Sequence, residues 1–285
     1  MSATATAAVS AREFDLLAGL IEQECGIALP PEKTYLIETR LSSLVAQSGC
    51  STYEEFYHLA KRGTDPGLKE KIINAITTNE TLWFRDGHPF TILREVLLPR
   101  MAEQLRSGAI RKARIWSAAS STGQEAYSIA MTIHEFCRQD TRVRPEQFEV
   151  LGTDISSSVL FVARAGRYDQ LAVGRGLPAE MRDRYMTLDG QVYAVRDEVK
   201  RLVTFQRFNL QQPASAQGRF DCVFLRYVAI YFSADFKRNL LKNIAQVTNR
   251  PGALLVGAVE SLRGLTDDFE PRHHAGGYYY ENGGK

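Results

Sequence analysis

The spacing of apolar residues changes period near residue 86. Before it, they recur at helical intervals. Ser10 with Glu13 reads as a capping box ahead of Phe14, Leu17, Ala18 and Ile21 on one helix face. Gly26 and the Pro30–Pro31 pair stop that helix, and a second is predicted over about 32–47. Ser51 with Glu54 predicts another capping box, opening a third helix that ends near Gly63; after the Asp65-Pro66-Gly67 turn an amphipathic stretch leads into ITTNETLWF. Beyond residue 86 short apolar runs alternate with helical patterns. ARIWSAA, FEVLGTDIS, VTFQRFNL, FDCVFLRYVAIYF and ALLVGAV read as five strands, with helices after Gln124, over SSSVLFVARAG and over 234–247. Such alternation implies a parallel sheet covered on both faces. Between the second and third strands QVYAVRDEVKRLVTF alternates at period two, which predicts a small antiparallel insertion or a strand pair on the sheet edge. The expected organisation is an N-terminal helical domain over 1–78 and an α/β domain over 79–285, with the insertion at about 185–207.

Composition narrows the function classes. A chain of 285 residues has room for a small domain beside a larger one. A net charge of +2, without a basic stripe, argues against a nucleic-acid partner. The opening MSATATAAVS lacks the basic start and apolar core of a signal peptide, and no apolar run reaches the roughly 18 residues of a membrane span, so a cytoplasmic location without membrane insertion is expected. Cys25, Cys50, Cys137 and Cys222 are scattered, with no metal-ligand spacing, and are expected to be buried thiols; His273 and His274, in a Gly-rich tail, read as loop residues.

The candidate chemistry starts at RIWSAASSTGQEAYSIAM, residues 114–131. In open parallel sheets a ligand sits beyond the carboxyl ends of the strands, and Ala118, Ala119, Ser120, Ser121 and Gly123 would let one approach closely. The turn lacks the three glycines of a dinucleotide fingerprint and the Gly-Lys-Ser/Thr of a P-loop. Glu125, just inside the following helix, would repel a phosphate. S-adenosylmethionine, a nucleoside with a cationic sulfonium and no phosphate, suits such a turn; a plain structural βα turn suits it as well. Asp154 ends the second strand, where a carboxylate accepts hydrogen bonds from ribose hydroxyls or caps the next helix. In TTNETLWFRD, Asn79, Thr81 and Arg85 are polar groups set between Ile76, Trp83 and Phe84, as caps and a surface arginine or as ligand contacts.

TTNETLWFRD, WSAASSTGQEAYSIAM, GTDIS, ARAGRYD, RFNL and FLRYVAIYF follow one another in an order that resembles the chemotaxis receptor glutamate methyltransferases of the CheR type, over nearly the whole chain. The resemblance implies a Rossmann-like S-adenosylmethionine methyltransferase sheet with an N-terminal all-helical domain and a small antiparallel β insertion. It implies methylation of glutamates on chemoreceptor cytoplasmic helices, with S-adenosylhomocysteine as product and no metal. By it, Asn79, Thr81 and Arg85 contact the cofactor from the inter-domain segment, Glu125 holds its amino-acid or nucleoside end, Asp154 its ribose, and Asn209 and Leu210 its adenine. Tyr231 lies beside the reacting methyl, and Arg106 near the substrate carboxylate. Arg226 and Tyr227 stand where the family has Arg-Asn, the asparagine being a cofactor contact. Residues 1–85 carry eight Lys/Arg against eleven Asp/Glu, where the family's helical domain is basic. The RYMTLDGQVYAVR segment is shorter than in members that tether to a receptor's C-terminal pentapeptide, so independence of that tether is expected. A cofactor-binding regulatory homologue with little or no transfer is the alternative; a nicotinamide oxidoreductase is disfavoured by the missing glycines.

Overall fold

The computed structural model describes residues 8–283. Its N-terminal helices are α1 (Ala11–Cys25), α2 (Thr34–Gln47), α3 (Tyr53–Arg62) and α4 (Leu68–Ile76). Their apolar faces, including Leu17, Ile37, Leu41 and Phe56, close on one another as a separate core. Ser10 caps α1 with Glu13 as expected. The α3 box sits one residue later than the spacing suggested: Thr52 accepts from the Glu55 amide, and Glu55 accepts from the Ser51 amide.

Seven strands form the main sheet: β1 (Ala113–Ala118), β2 (Phe148–Asp154), β6 (Val203–Arg207), β7 (Phe220–Leu225), β8 (Thr248–Leu255), β9 (Phe269–His274) and β10 (Gly277–Asn282), in the order β6-β2-β1-β7-β8-β10-β9. The first five are parallel; β10 and β9 add antiparallel. Alternate residues feed two cores. Ile115, Phe224 and Leu255 face α5 (Leu98–Arg106), α6 (Gln124–Gln139) and α7 (Ser157–Ala165), while Trp116, Val223 and Leu254 face α8 (Ala234–Val247).

Three expectations change. The small sheet is built from β3 (Arg167–Asp169), β4 (Met186–Asp189) and β5 (Val192–Val195), in the order β3-β5-β4, so it draws a strand from before residue 185. Residues 203–207, placed in the insertion by their period-two pattern, pair parallel with β2, because an edge strand shows alternation whichever sheet it joins. His273 and His274 lie in β9, in a hairpin whose two-residue turn, Ala275-Gly276, has positive φ at both positions as a type I′ turn requires. Cys25, Cys137 and Cys222 are buried and Cys50 is half-buried, all with free thiols.

The segment joining helices to sheet is anchored by Trp83, which is fully buried and packs edge-to-face on Tyr168 at 5.0 Å between centroids. Its amide donates to the Arg175 carbonyl at 3.1 Å. Gly176, at φ 95°, sits so close to the Trp83 carbonyl that a Cβ there would lie 2.3 Å from the oxygen. Trp83→Ala is expected to cost about 3–5 kcal/mol of unfolding free energy, measured by urea denaturation.

Candidate active site

The strand register brings the site together. Ala118 at the end of β1 pairs with Thr153 on one side and Leu225 on the other, so Ala119, Asp154 and Arg226 leave the sheet at one level. β1 and β7 flank the point where the strand order reverses, the usual ligand crevice of an open α/β sheet. The fourth strand was expected to run through IYF; it stops at Leu225, because Arg226 turns into a buried ion pair and Tyr227 adopts a left-handed φ of 58°.

The small-residue turn folds tightly. Ala119 and Ser121 take φ of 58° and 51°, and Gly123 takes 96° where a Cβ would meet Ala163 at 2.9 Å. The Ser121 amide donates to Asp154 Oδ2 at 2.9 Å and the Ser156 amide to Oδ1 at 2.9 Å. Helix α7 is capped by Ser156, so Asp154 is not spent as its cap. Burial raises the Asp154 carboxyl above its ordinary range, against the amides that hold it.

Arg226 is the hub, with its side chain 1% exposed. It donates to Glu125 Oε2 at 2.8 Å, to Asp86 Oδ2 at 2.8 Å and to the Arg85 carbonyl at 2.7 Å. Glu125 also accepts from Ser117 Oγ, and Asp86 from the Tyr227 hydroxyl at 2.7 Å. Burial works to raise the Asp86 carboxyl, but the Tyr227 and Arg226 hydrogen bonds outweigh it and hold the group below its usual value. The Arg85 guanidinium lies 3.5 Å from the centroid of the Tyr227 ring and, among the described residues, makes no ion pair.

The helical domain covers the other side. The Ala28 amide donates to the Tyr231 carbonyl, and Asn209 Nδ2 donates to the Glu24 carbonyl at 2.8 Å at the end of α1. Cys25 and Ile27 thereby become cavity walls; burial pushes the Cys25 thiol up to about 11, so it is no nucleophile near neutrality. Asn79, Thr81, Arg85, Glu125, Asp154, Asn209, Leu210, Arg226, Tyr227 and Tyr231 all line one cavity. Arg106 does not reach it. That side chain is partly buried and pairs with Asp140 and Glu103, beyond the far end of α6, whose 16 residues span about 24 Å. Sequence reasoning passed over Asp86 and Glu260. Glu260 follows the end of β8, and its Oε2 accepts from the Tyr227 and Gly257 amides; its signal was an acid just past a strand's carboxyl end.

The chemistry of this cavity suits a cationic nucleoside. Its walls carry three carboxylates, Glu80, Glu125 and Asp154, against two guanidinium groups. Ser120 Oγ and Arg226 Nε are buried there without a hydrogen-bond partner, as ligand-directed groups are. S-adenosylmethionine, with two positive charges and one negative, suits that balance of charge. Sheet order and crevice thus define the class, a Rossmann-like methyltransferase. Two family descriptions match the chain: "CheR methyltransferase, all-alpha domain" over residues 12–77 and "CheR methyltransferase, SAM binding domain" over residues 79–276. Chemotaxis protein methyltransferase 1 of Vibrio cholerae is 45% identical over 92% of this chain and 94% of its own length. Chemotaxis protein methyltransferase 1 of Pseudomonas aeruginosa is 40% identical over 90% and 93%. The chain belongs to the CheR methyltransferase family and is an S-adenosylmethionine-dependent methyltransferase.

Asp154→Asn is expected to weaken binding of S-adenosylhomocysteine roughly 10- to 100-fold by isothermal titration, as loss of charge-assisted hydrogen bonds does. Because Asp86 has a lowered carboxyl in the fold, its share of stability is complete above about pH 4 and is lost as pH falls through the lower folded value. Urea midpoints of the native protein and Asp86→Asn should therefore differ most near neutrality and converge as the pH falls through that lowered folded value.

Proposed function

We propose that the protein transfers the methyl group of S-adenosylmethionine to glutamate side chains on cytoplasmic helices of chemoreceptors, giving glutamyl γ-methyl esters. The observation that carries this reading is one cavity joining the nucleoside-suited residues, Tyr231 and an arginine, Arg85, that has no carboxylate partner among the described residues. The curated relatives are named as chemotaxis protein methyltransferases, which supports the substrate class.

A glutamate carboxylate is already a nucleophile at pH 7, given a reference pKa near 4.3, so no general base is needed. Among the described residues, the cavity walls contain no histidine. When bound, S-adenosylmethionine supplies a methyl on a positive sulfonium; the carboxylate oxygen forms the new bond as the sulfur keeps the electron pair, and opposite charges cancel. The protein's work is alignment and exclusion of water. Asp154, Asn209 and Leu210 hold the nucleoside, and Glu125, kept in place by Arg226, faces the cationic end. Asn79 and Thr81 border the cavity from the inter-domain segment. Arg85 takes the role first expected of Arg106: its donors bind one oxygen of the incoming carboxylate and leave the other to attack. The Tyr231 hydroxyl has no hydrogen bond within the described residues and is available to the reacting groups.

The tight β4–β5 hairpin, with only Gly190 and Gln191 between its strands, supports action without a receptor C-terminal tether. Four free thiols support a reducing, cytoplasmic setting, and no helix among the described residues is long and apolar enough to cross a membrane.

Tritiated-methyl transfer to receptor cytoplasmic fragments tests the assignment, with label released as methanol by base; fragments with and without their C-terminal tails should be labelled alike. No base-labile label on any fragment would overturn it. Tyr231→Phe should lower kcat roughly a hundredfold with product affinity unchanged. Arg85→Met should raise KM for the fragment roughly tenfold or more, whereas Arg106→Ala should leave it as it was.

A further inference from the structure

Tyr227 occupies its position under constraint from several sides. Its backbone is left-handed, at φ 58°, a conformation rare for a bulky residue. Its amide donates to Glu260 Oε2 at 2.7 Å, and its hydroxyl donates to Asp86 Oδ2 at 2.7 Å. One edge of the ring lies against Gly257, where an added Cβ would come within 3.0 Å of two ring carbons. The Arg85 guanidinium lies over the ring face, 3.5 Å from its centroid. The neighbouring Arg226 holds the backbone of the same residue, through the Arg85 carbonyl at 2.7 Å. Consecutive residues at the end of β7 thus hold Arg85 twice, one by its main chain and one by its side chain; Arg85 Nη1 also donates to the Glu80 carbonyl at 3.2 Å, which leaves the other guanidinium donors for a ligand.

We propose that Tyr227 is a positioning residue for substrate recognition, a stacking platform that sets the Arg85 guanidinium for the incoming glutamate carboxylate. This rests on the reading of Arg85 given above. The donors of a guanidinium lie in its plane, so an aromatic face attracts the cation without using any of them. A carboxylate partner would instead occupy the donors that the substrate needs. Asp86, next in the chain, is kept from that role because Arg226 and the Tyr227 hydroxyl already hold its Oδ2. A long arginine left loose would lose rotamer freedom on binding, whereas a stacked one has lost it beforehand. The asparagine expected here from the family resemblance offers no ring, so this chain holds its substrate arginine by a different contact.

The test uses the full-length protein, a receptor cytoplasmic fragment and S-adenosylhomocysteine, with thermal melts to establish that each variant folds. Tyr227→Leu is expected to lower kcat/KM for the fragment roughly tenfold while the affinity for S-adenosylhomocysteine stays constant. Tyr227→Phe, which keeps the ring and gives up the hydroxyl, should restore most of that loss. Tyr227→Gln supplies a second ring-free variant should the leucine protein fail to fold. In an Arg85→Met background the same Tyr227 substitutions should have no further effect, because the two side chains act as a unit. Full activity of the ring-free variants, an undiminished effect in the Arg85→Met background, or a matching loss of product affinity would each overturn the inference. Normal kinetics of Arg85→Met alone would instead bring down the underlying reading of Arg85.

Discussion

A guanidinium taken out of water has to be surrounded by acceptors, and the pairing of Arg226 organises the rest of the site. The pairing joins three separate stretches: Glu125 in the first turn of α6, Asp86 and the Arg85 carbonyl in the inter-domain segment, and Arg226 itself at the end of β7. With 1% of its side chain exposed, Arg226 is the shared cation of two largely buried acids, and its loss would leave Glu125 and Asp86 without compensation. The three stretches therefore fold against one another or not at all. Left-handed backbone at Phe84, Asp86 and Tyr227 is tolerated around this hub because hydrogen bonds fix it from several directions.

That constraint also explains the economy of the chemistry. Methyl transfer from a sulfonium to a carboxylate joins two opposite charges and asks for no proton transfer. The cavity accordingly invests in shape and charge. Small side chains at Ala119, Ser120 and Ser121 leave room, acids line the walls, and of the two arginines there one is locked in salt bridges and the other makes none among the described residues. Closure comes from the other domain. The last turn of α1 supplies Cys25 to the cavity, and the Glu24 carbonyl accepts from Asn209, so the helical domain completes a pocket that the sheet leaves open.

Much of this was legible before folding. The helical period through 11–76, the apolar strands ending at Ala118 and Asp154, and the small-residue turn with Glu125 behind it are local patterns set by side-chain size and polarity. Other features were not. Residues 203–207 alternate as an exposed edge strand does, and alternation does not say which sheet the edge belongs to. His273 and His274 look like a glycine-flanked tail until the Ala275-Gly276 turn pairs them with Gly277 and Tyr278. Arg106 was reached through loose spacing on a helix, and spacing alone does not reveal that the helix ends at the opposite edge of the sheet.

By itself, then, the sequence determined the element types, the two-domain plan, the family and the phosphate-poor character of the turn. The family came from ordered motifs that resemble it; the rest follow from periodicity and composition over short windows. Tertiary structure alone decided which arginine lines the cavity and which is consumed by salt bridges away from it. It also brought Asp86 and Glu260 to the site and stopped β7 at Leu225. Those outcomes depend on strand register and on contacts between residues more than a hundred positions apart, where pairing is set by geometry in three dimensions.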